Sequence, residues 1–253
     1  MIDVKSLLVR GCRESSVVGI GLMGETAAAT EAILLSSGCR LNVRYFESAK
    51  QLVSSLSRGE VAAAVRGTLS SSEVLKELKS AFSIREVMRT AVLEDVRGKQ
   101  FLLTPVGIDE GRTMSSRLKL ATTTIAYFEP AGWQIKIGVL SKGRVEDKGR
   151  GAEICRSLEA GEKTASTLLA RGYAAEHFGI LVEDAVKMSD LVIATDGIAG
   201  NLMFRSMHFV GGGKAYGAPV VNLEKVFVDT SRAKADFSDS IMLAAGLAAV
   251  KTL

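Results

Sequence analysis

Asp196, Gly197, Gly200 and Asn201 lie in the stretch ATDGIAGNLMFR, residues 194–205. A carboxylate, two glycines and a carboxamide at this spacing suit the holding of an anion. Glycines let backbone N–H groups approach a ligand closely. A helix starting beyond them, from Leu202, turns its positive end towards that ligand. The competing reading is a Gly-rich β–α turn closed by an Asx cap. A second cluster, Ser141, Lys142, Gly143 and Arg144, opens a loop that runs to Gly151 and holds three glycines and four cations. Such a loop can embrace a phosphate through its amides, or it can be a mobile surface connection. Gly211, Gly212 and Gly213 lead to Lys214, a further cation for an anion. Arg66 closes a short apolar run before Ser70–Ser72, where it either meets an anion or sits as a solvated rim charge.

Asp229, Thr230, Ser231 and Arg232 precede the last helix. A cation there gains nothing from the helix dipole, which favours negative charge at that end. A bound anion held bidentately is the stronger reason for a guanidinium; the alternative is an ion pair with Asp229 or Asp236.

Elements that would position these groups follow in β–α alternation. Short apolar runs at 17–20, 41–46, 61–65, 135–140 and 191–194 read as buried strands, each with a helical pattern after it. The runs 87–93 and 100–106 flank Gly98 and read as a hairpin inserted in that alternation. Residues 113–128, 153–170 and 237–250 read as longer helices. Ligands of open α/β sheets bind outside the carboxyl ends of the strands, where Arg66, Ser141 and Asp196 fall.

Gly19, Gly21 and Gly24 fit G-x-G-x-x-G, with Glu47 after the second strand where a nicotinamide ribose needs an acid. The commoner meaning is a tight first turn of any doubly wound sheet, and nothing downstream supplies a hydride-transfer site.

The 253 residues are 47% apolar and 24% charged, an ordinary globular composition. The net charge of +4 has no basic block, so nucleic acid is not expected as a partner. No run reaches membrane-helix length, and the first ten residues lack a signal-peptide pattern. Cys12, Cys39 and Cys155 are isolated and only His177 and His208 accompany them, so no metal site is expected. A reduced, cytoplasmic protein is the expectation.

The stretches VRGTLSSSEVLKEL, FLLTPVGIDEG, VLSKGRVEDKGR, ATDGIAGNLMFR, GGGKAYGAPV and FVDTSRAKADFSD span nearly the whole chain. In that order they resemble the archaeal family called MtxX, a methanogenesis marker family named "putative methyltransferase subunit". More distantly they resemble the phosphate acetyltransferase, phosphate butyryltransferase and PlsX phosphate acyltransferase group. This resemblance implies an isocitrate/isopropylmalate dehydrogenase-like fold: a two-domain α/β/α sandwich, with a ligand cleft between the domains, and a homodimer. Residues 1–111 with 219–253 would form one domain and 112–218 the other. The apolar segment Ile241–Val250 is a further motive for a dimer. Implied chemistry is a transferase acting on an anionic, phosphate- or CoA-bearing ligand. Arg232 and Lys142 would neutralise the anion, Arg144, Lys214 and Arg66 would support them, and Ser231 would position the reacting group. Asp239 or Asp236 would be the base. Ser141, Gly143, Asp196, Gly197, Gly200 and Asn201 would line the ligand. The family name implies instead a methyltransferase, and a third expectation is a non-catalytic ligand-binding partner of a methyltransfer complex.

Overall fold

The computed structural model describes residues 2–22 and 24–251. The chain runs through α1 (Val4–Arg13), β1 (Val17–Ile20), α2 (Glu25–Ser36), β2 (Asn42–Tyr45), α3 (Ala49–Ser57), β3 (Ala63–Val65) and α4 (Ser71–Ala81). Next come β4 (Ala91–Glu94), β5 (Gln100–Thr104), α5 (Met114–Phe128), β6 (Ile137–Leu140), α6 (Ala152–Ala170) and β7 (Ala175–Gly179). It ends with α7 (Val182–Met188), β8 (Leu191–Ile193), α8 (Gly197–Arg205), β9 (Lys214–Pro219), β10 (Val226–Asp229) and α9 (Ser238–Lys251). This is a mixed α/β protein of two compact units, one formed by Asp3–Val87 and the residues from Tyr216 onward, the other by Met88–Ala215.

In the first unit β1 lies between β2 and β3, and β3 pairs with β10, all parallel. β9 runs antiparallel to β10 through Pro219 and Ala218. Leu52, Leu56, Leu78 and Phe227 fill the core beneath them. α9 needs no second chain to cover its apolar residues. Ile241, Leu243, Ala244 and Ala245 are buried within the unit, against α1. Gly11 and Gly246 permit that crossing, since a Cβ at either would come within about 2 Å of the other helix's backbone (2.0 Å to Met242 O, 2.1 Å to Leu7 O). The motive for a dimer drawn from this segment's apolarity therefore falls away.

In the second unit β4 and β5 form the expected hairpin. β5 then pairs in parallel with β8, β8 with β6, and β6 with β7. The carboxyl ends of β5, β6 and β8 therefore share one edge, which carries Pro105, Ser141 and Ala194.

Cys12 and Cys39 are joined in a disulfide, Cα to Cα 4.6 Å, and Cys155 is free. The expectation of three reduced thiols is corrected here. A separation of 27 residues gives no pairing signal in sequence, and only the packing of α1 beside the turn before β2 brings the two together. Among the described residues no helix is long and apolar enough to cross a membrane, and no cluster of His, Cys, Asp and Glu could hold a metal.

Candidate functional site

Asp196 caps α8, its Oδ1 accepting from Ala199 N at 2.9 Å. The helix begins at Gly197, five residues before the apolar pattern suggested. Its two glycines admit a neighbouring segment of backbone. A Cβ on Gly197 would stand 1.6 Å from Gly107 O, and one on Gly200 1.9 Å from Pro105 O. Gly197 N donates to Glu110 O, and Asn201 Nδ2 to Val106 O. The 105–110 segment is held in turn by a buried ion pair, Arg89 Nε to Glu110 Oε1 at 2.7 Å. Glu110 also accepts from Gly107 N. Burial raises the Glu110 pKa and Arg89 opposes that shift. Gly197, Gly200 and Asn201 thus seat a β–α loop, a partnership invisible in the local sequence.

Ser141 is buried at the end of β6. Its Oγ lies 2.9 Å from His177 Nε2, and His177 Nδ1 lies 3.2 Å from Glu162 Oε2. The Ser141 hydroxyl also reaches Gly143 O. Gly161 makes the room for the imidazole, since a Cβ there would meet Nε2 at 2.5 Å. This chain braces the start of the cationic loop from beneath. Lys142 points to the surface, where its Nζ meets Glu153 at 2.6 Å, and that hydrogen bond raises the lysine pKa. Arg144 is exposed, and no side-chain partner is found for it among the described residues. Residues 145–150 fold into 3₁₀ turns.

Lys142 and Asp196 line one small cavity of 170 Å³ together with Arg112, Arg117, Leu140, Ser157 and Thr195. Arg117 is half-buried; its Nη1 donates to Thr195 O at 2.8 Å and to Gly111 O at 3.3 Å. Burial lowers its pKa, against the pull of Asp196. Neither Arg112 nor Arg117 was singled out from sequence. The signal was present: Thr113 and Ser116 form a capping box, so both arginines sit at the start of α5, where a helix dipole disfavours cations. In the first unit a wider depression of 520 Å³ along β2 and α3 includes Glu47 and Lys50.

Arg66 is buried and paired with Asp229, and its Nη1 donates to Leu69 O at 2.8 Å. Lys214 reaches the buried Glu94 at 3.5 Å. Ser231 Oγ accepts from Ala233 N within its own turn. Asp236 takes Ser238 N and Oγ on its two oxygens, at 2.8 and 2.9 Å, and so caps α9. Asp239 stands in the first turn of α9. Lys234, another residue missed from sequence, points Nζ at Ser240 Oγ, 3.2 Å away. Burial lowers the Lys234 pKa, while Asp239 and Asp236 counter it. Arg232 is exposed and pairs with no described residue.

No family model matches the chain. It is 44% identical over 188 residues to the "Putative methyltransferase mtx subunit X" of Methanosarcina mazei, covering 74% of this chain and 67% of that one. An uncharacterized methyltransferase of Methanopyrus kandleri is 38% identical over 258 residues, with 91% and 98% covered. A crystal structure of a branched-chain phosphotransacylase from Enterococcus faecalis V583 superposes with a TM-score of 0.68 at 17% identity, over 94% of this chain and all of that one. That last likeness is one of fold. The identity with the first, across 74% of this chain and 67% of that one, places the chain in the mtx subunit X family.

Proposed function

We propose that the protein is a transferase whose ligand is anionic and bears phosphate or coenzyme A. The observation that carries this reading is the isolation of Arg232. Its two structural partners are engaged elsewhere, Asp229 with Arg66 and Asp236 with Ser238. An exposed guanidinium in the turn between β10 and α9, paired with no carboxylate among the described residues, is suited to a bidentate anion. Ser231 beside it supplies a hydroxyl. Asp239 or Asp236, both acting on the buried Lys234, would supply the base. In the other unit Lys142, Arg144, Ser141, Gly143 and Asp196 stand at the carboxyl ends of β6 and β8, where open α/β sheets hold ligands.

Methyl transfer is the second reading, and the names of the relatives support it. The word subunit in one of them supports assembly into a methyltransfer complex. No side chain described above favours it.

Calorimetric titration of phosphate and coenzyme A into wild type, Arg232→Ala and Arg232→Lys tests the assignment. Both variants should lose about 1.5–3 kcal/mol of binding, the scale of a charged hydrogen bond. Undiminished affinity in Arg232→Ala would remove the residue from the site.

A further inference from the structure

We infer that the cavity formed by Arg112, Arg117, Lys142 and Asp196 is a subsite for a single small phosphate group, carried as the free ion or as a short phosphate ester or anhydride. This rests on the anionic-ligand reading above and narrows the class of ligand.

Size is the first argument. Sites that enclose a drug-sized ligand run to about 300–1,000 Å³, whereas this one has 170 Å³. That is the space of roughly five or six waters at about 30 Å³ each. A phosphate with a few further atoms fills it, and any larger remainder of a nucleotide or coenzyme would lie outside it.

Charge is the second. Three cations and one carboxylate line the space. The carboxylate is occupied in part, since one Asp196 oxygen holds Ala199 N. Lys142 is turned to Glu153 at the rim. The two arginines are therefore the donors that remain.

The state of Arg117 is the third. Withdrawing a guanidinium from water is costly unless its donors are met. Only Nη1 is hydrogen-bonded here, to two carbonyls, and Asp196 acts on the guanidinium through its charge without a hydrogen bond among the described residues. Nε and Nη2 have no partner among the described residues, and a guanidinium offers five N–H groups in a fixed fork. Two oxygens of a phosphate match that fork bidentately. Arg112, exposed and equally without a described partner, is placed on the same cavity. The Ser157 hydroxyl, which accepts from Lys142 N, holds the backbone of the third wall in place.

The test is calorimetric titration of inorganic phosphate, acetyl phosphate and coenzyme A into wild type, Arg112→Gln, Arg117→Gln and Arg232→Ala. Loss of one charged hydrogen bond should weaken inorganic phosphate and acetyl phosphate by about tenfold or more in each of the first two variants. Circular dichroism checks folding; if Arg117→Gln is unfolded, the exposed Arg112→Gln decides alone. Unchanged phosphate affinity in Arg112→Gln and in folded Arg117→Gln, with a loss in Arg232→Ala, overturns this subsite and leaves the anionic-ligand reading standing. Absence of binding by all three ligands to wild type overturns both.

Discussion

Arg66 and Asp229 meet in a buried ion pair at the carboxyl ends of two neighbouring parallel strands, β3 and β10. Asp229 Oδ1 also accepts from Thr230 N, and Arg66 holds Leu69 O. The pair therefore fixes the turns that follow both strands, including the one that presents Ser231 and Arg232. Removing one partner strands a buried charge. Asp229→Asn should destabilise the protein by about 3–5 kcal/mol, whereas replacing both residues by apolar ones of similar volume should recover most of that. Urea unfolding of the single and double variants measures it; a single variant as stable as wild type would contradict the pairing.

Arg232 is expected to behave in the opposite way. Exposed and without a partner among the described residues, it should tolerate Arg232→Ala with a stability change within about 0.5 kcal/mol. A melting curve without ligand checks this, and a clear drop would mean the side chain has a structural role.

Gly200 and Gly149 separate two meanings of glycine. A Cβ on Gly200 collides with Pro105 O, while one on Gly149 meets nothing. Gly200→Ala should lose about 1–3 kcal/mol through overpacking, and Gly149→Ala should stay within about 0.5 kcal/mol. Equal melting temperatures for the two variants would refute the helix–loop contact.

Asp95 gives a pH dependence. Burial works to raise its pKa, but hydrogen bonds from Lys99 N and from the Arg97 side chain and N–H prevail, and the value lies below that of an ordinary aspartate. A depressed carboxylate stabilises the fold fully above its unfolded pKa, near 4, and that contribution is lost as the pH falls through the folded pKa. Asp95→Asn should therefore destabilise the protein at neutral pH and flatten the acid limb of its stability curve. An acid limb as steep as that of wild type would rule out Asp95 as a contributor.

The β–α alternation, the 87–106 hairpin and the terminal helix were legible because each rests on local apolar spacing and turn residues. Strand β7, AEHFG, was not, for it carries a polar–apolar mixture and depends on pairing with β6. Nor was the place of the hairpin, which is decided by the distant pairing of β5 with β8. The glycines of the first strand–helix turn show the same limit. Gly21 fits a dinucleotide fingerprint, yet a Cβ on it would meet Leu69 and Arg66 O, so the turn after β3 requires it. Asp196, Lys142 and Arg232 were readable as polar groups at strand ends. What each already binds was not, since Glu153, Ala199 and the Arg66–Asp229 pair enter only through folding.

The most direct test of a small phosphate or coenzyme A ligand is a thermal-shift series on the whole chain with phosphate, acetyl phosphate, coenzyme A, S-adenosylmethionine and NAD. A ligand at a hundredfold its dissociation constant adds about 2.7 kcal/mol to stability. A raised melting temperature is expected with phosphate, acetyl phosphate or coenzyme A, and none with S-adenosylmethionine or NAD. A rise with S-adenosylmethionine or NAD alone would contradict it.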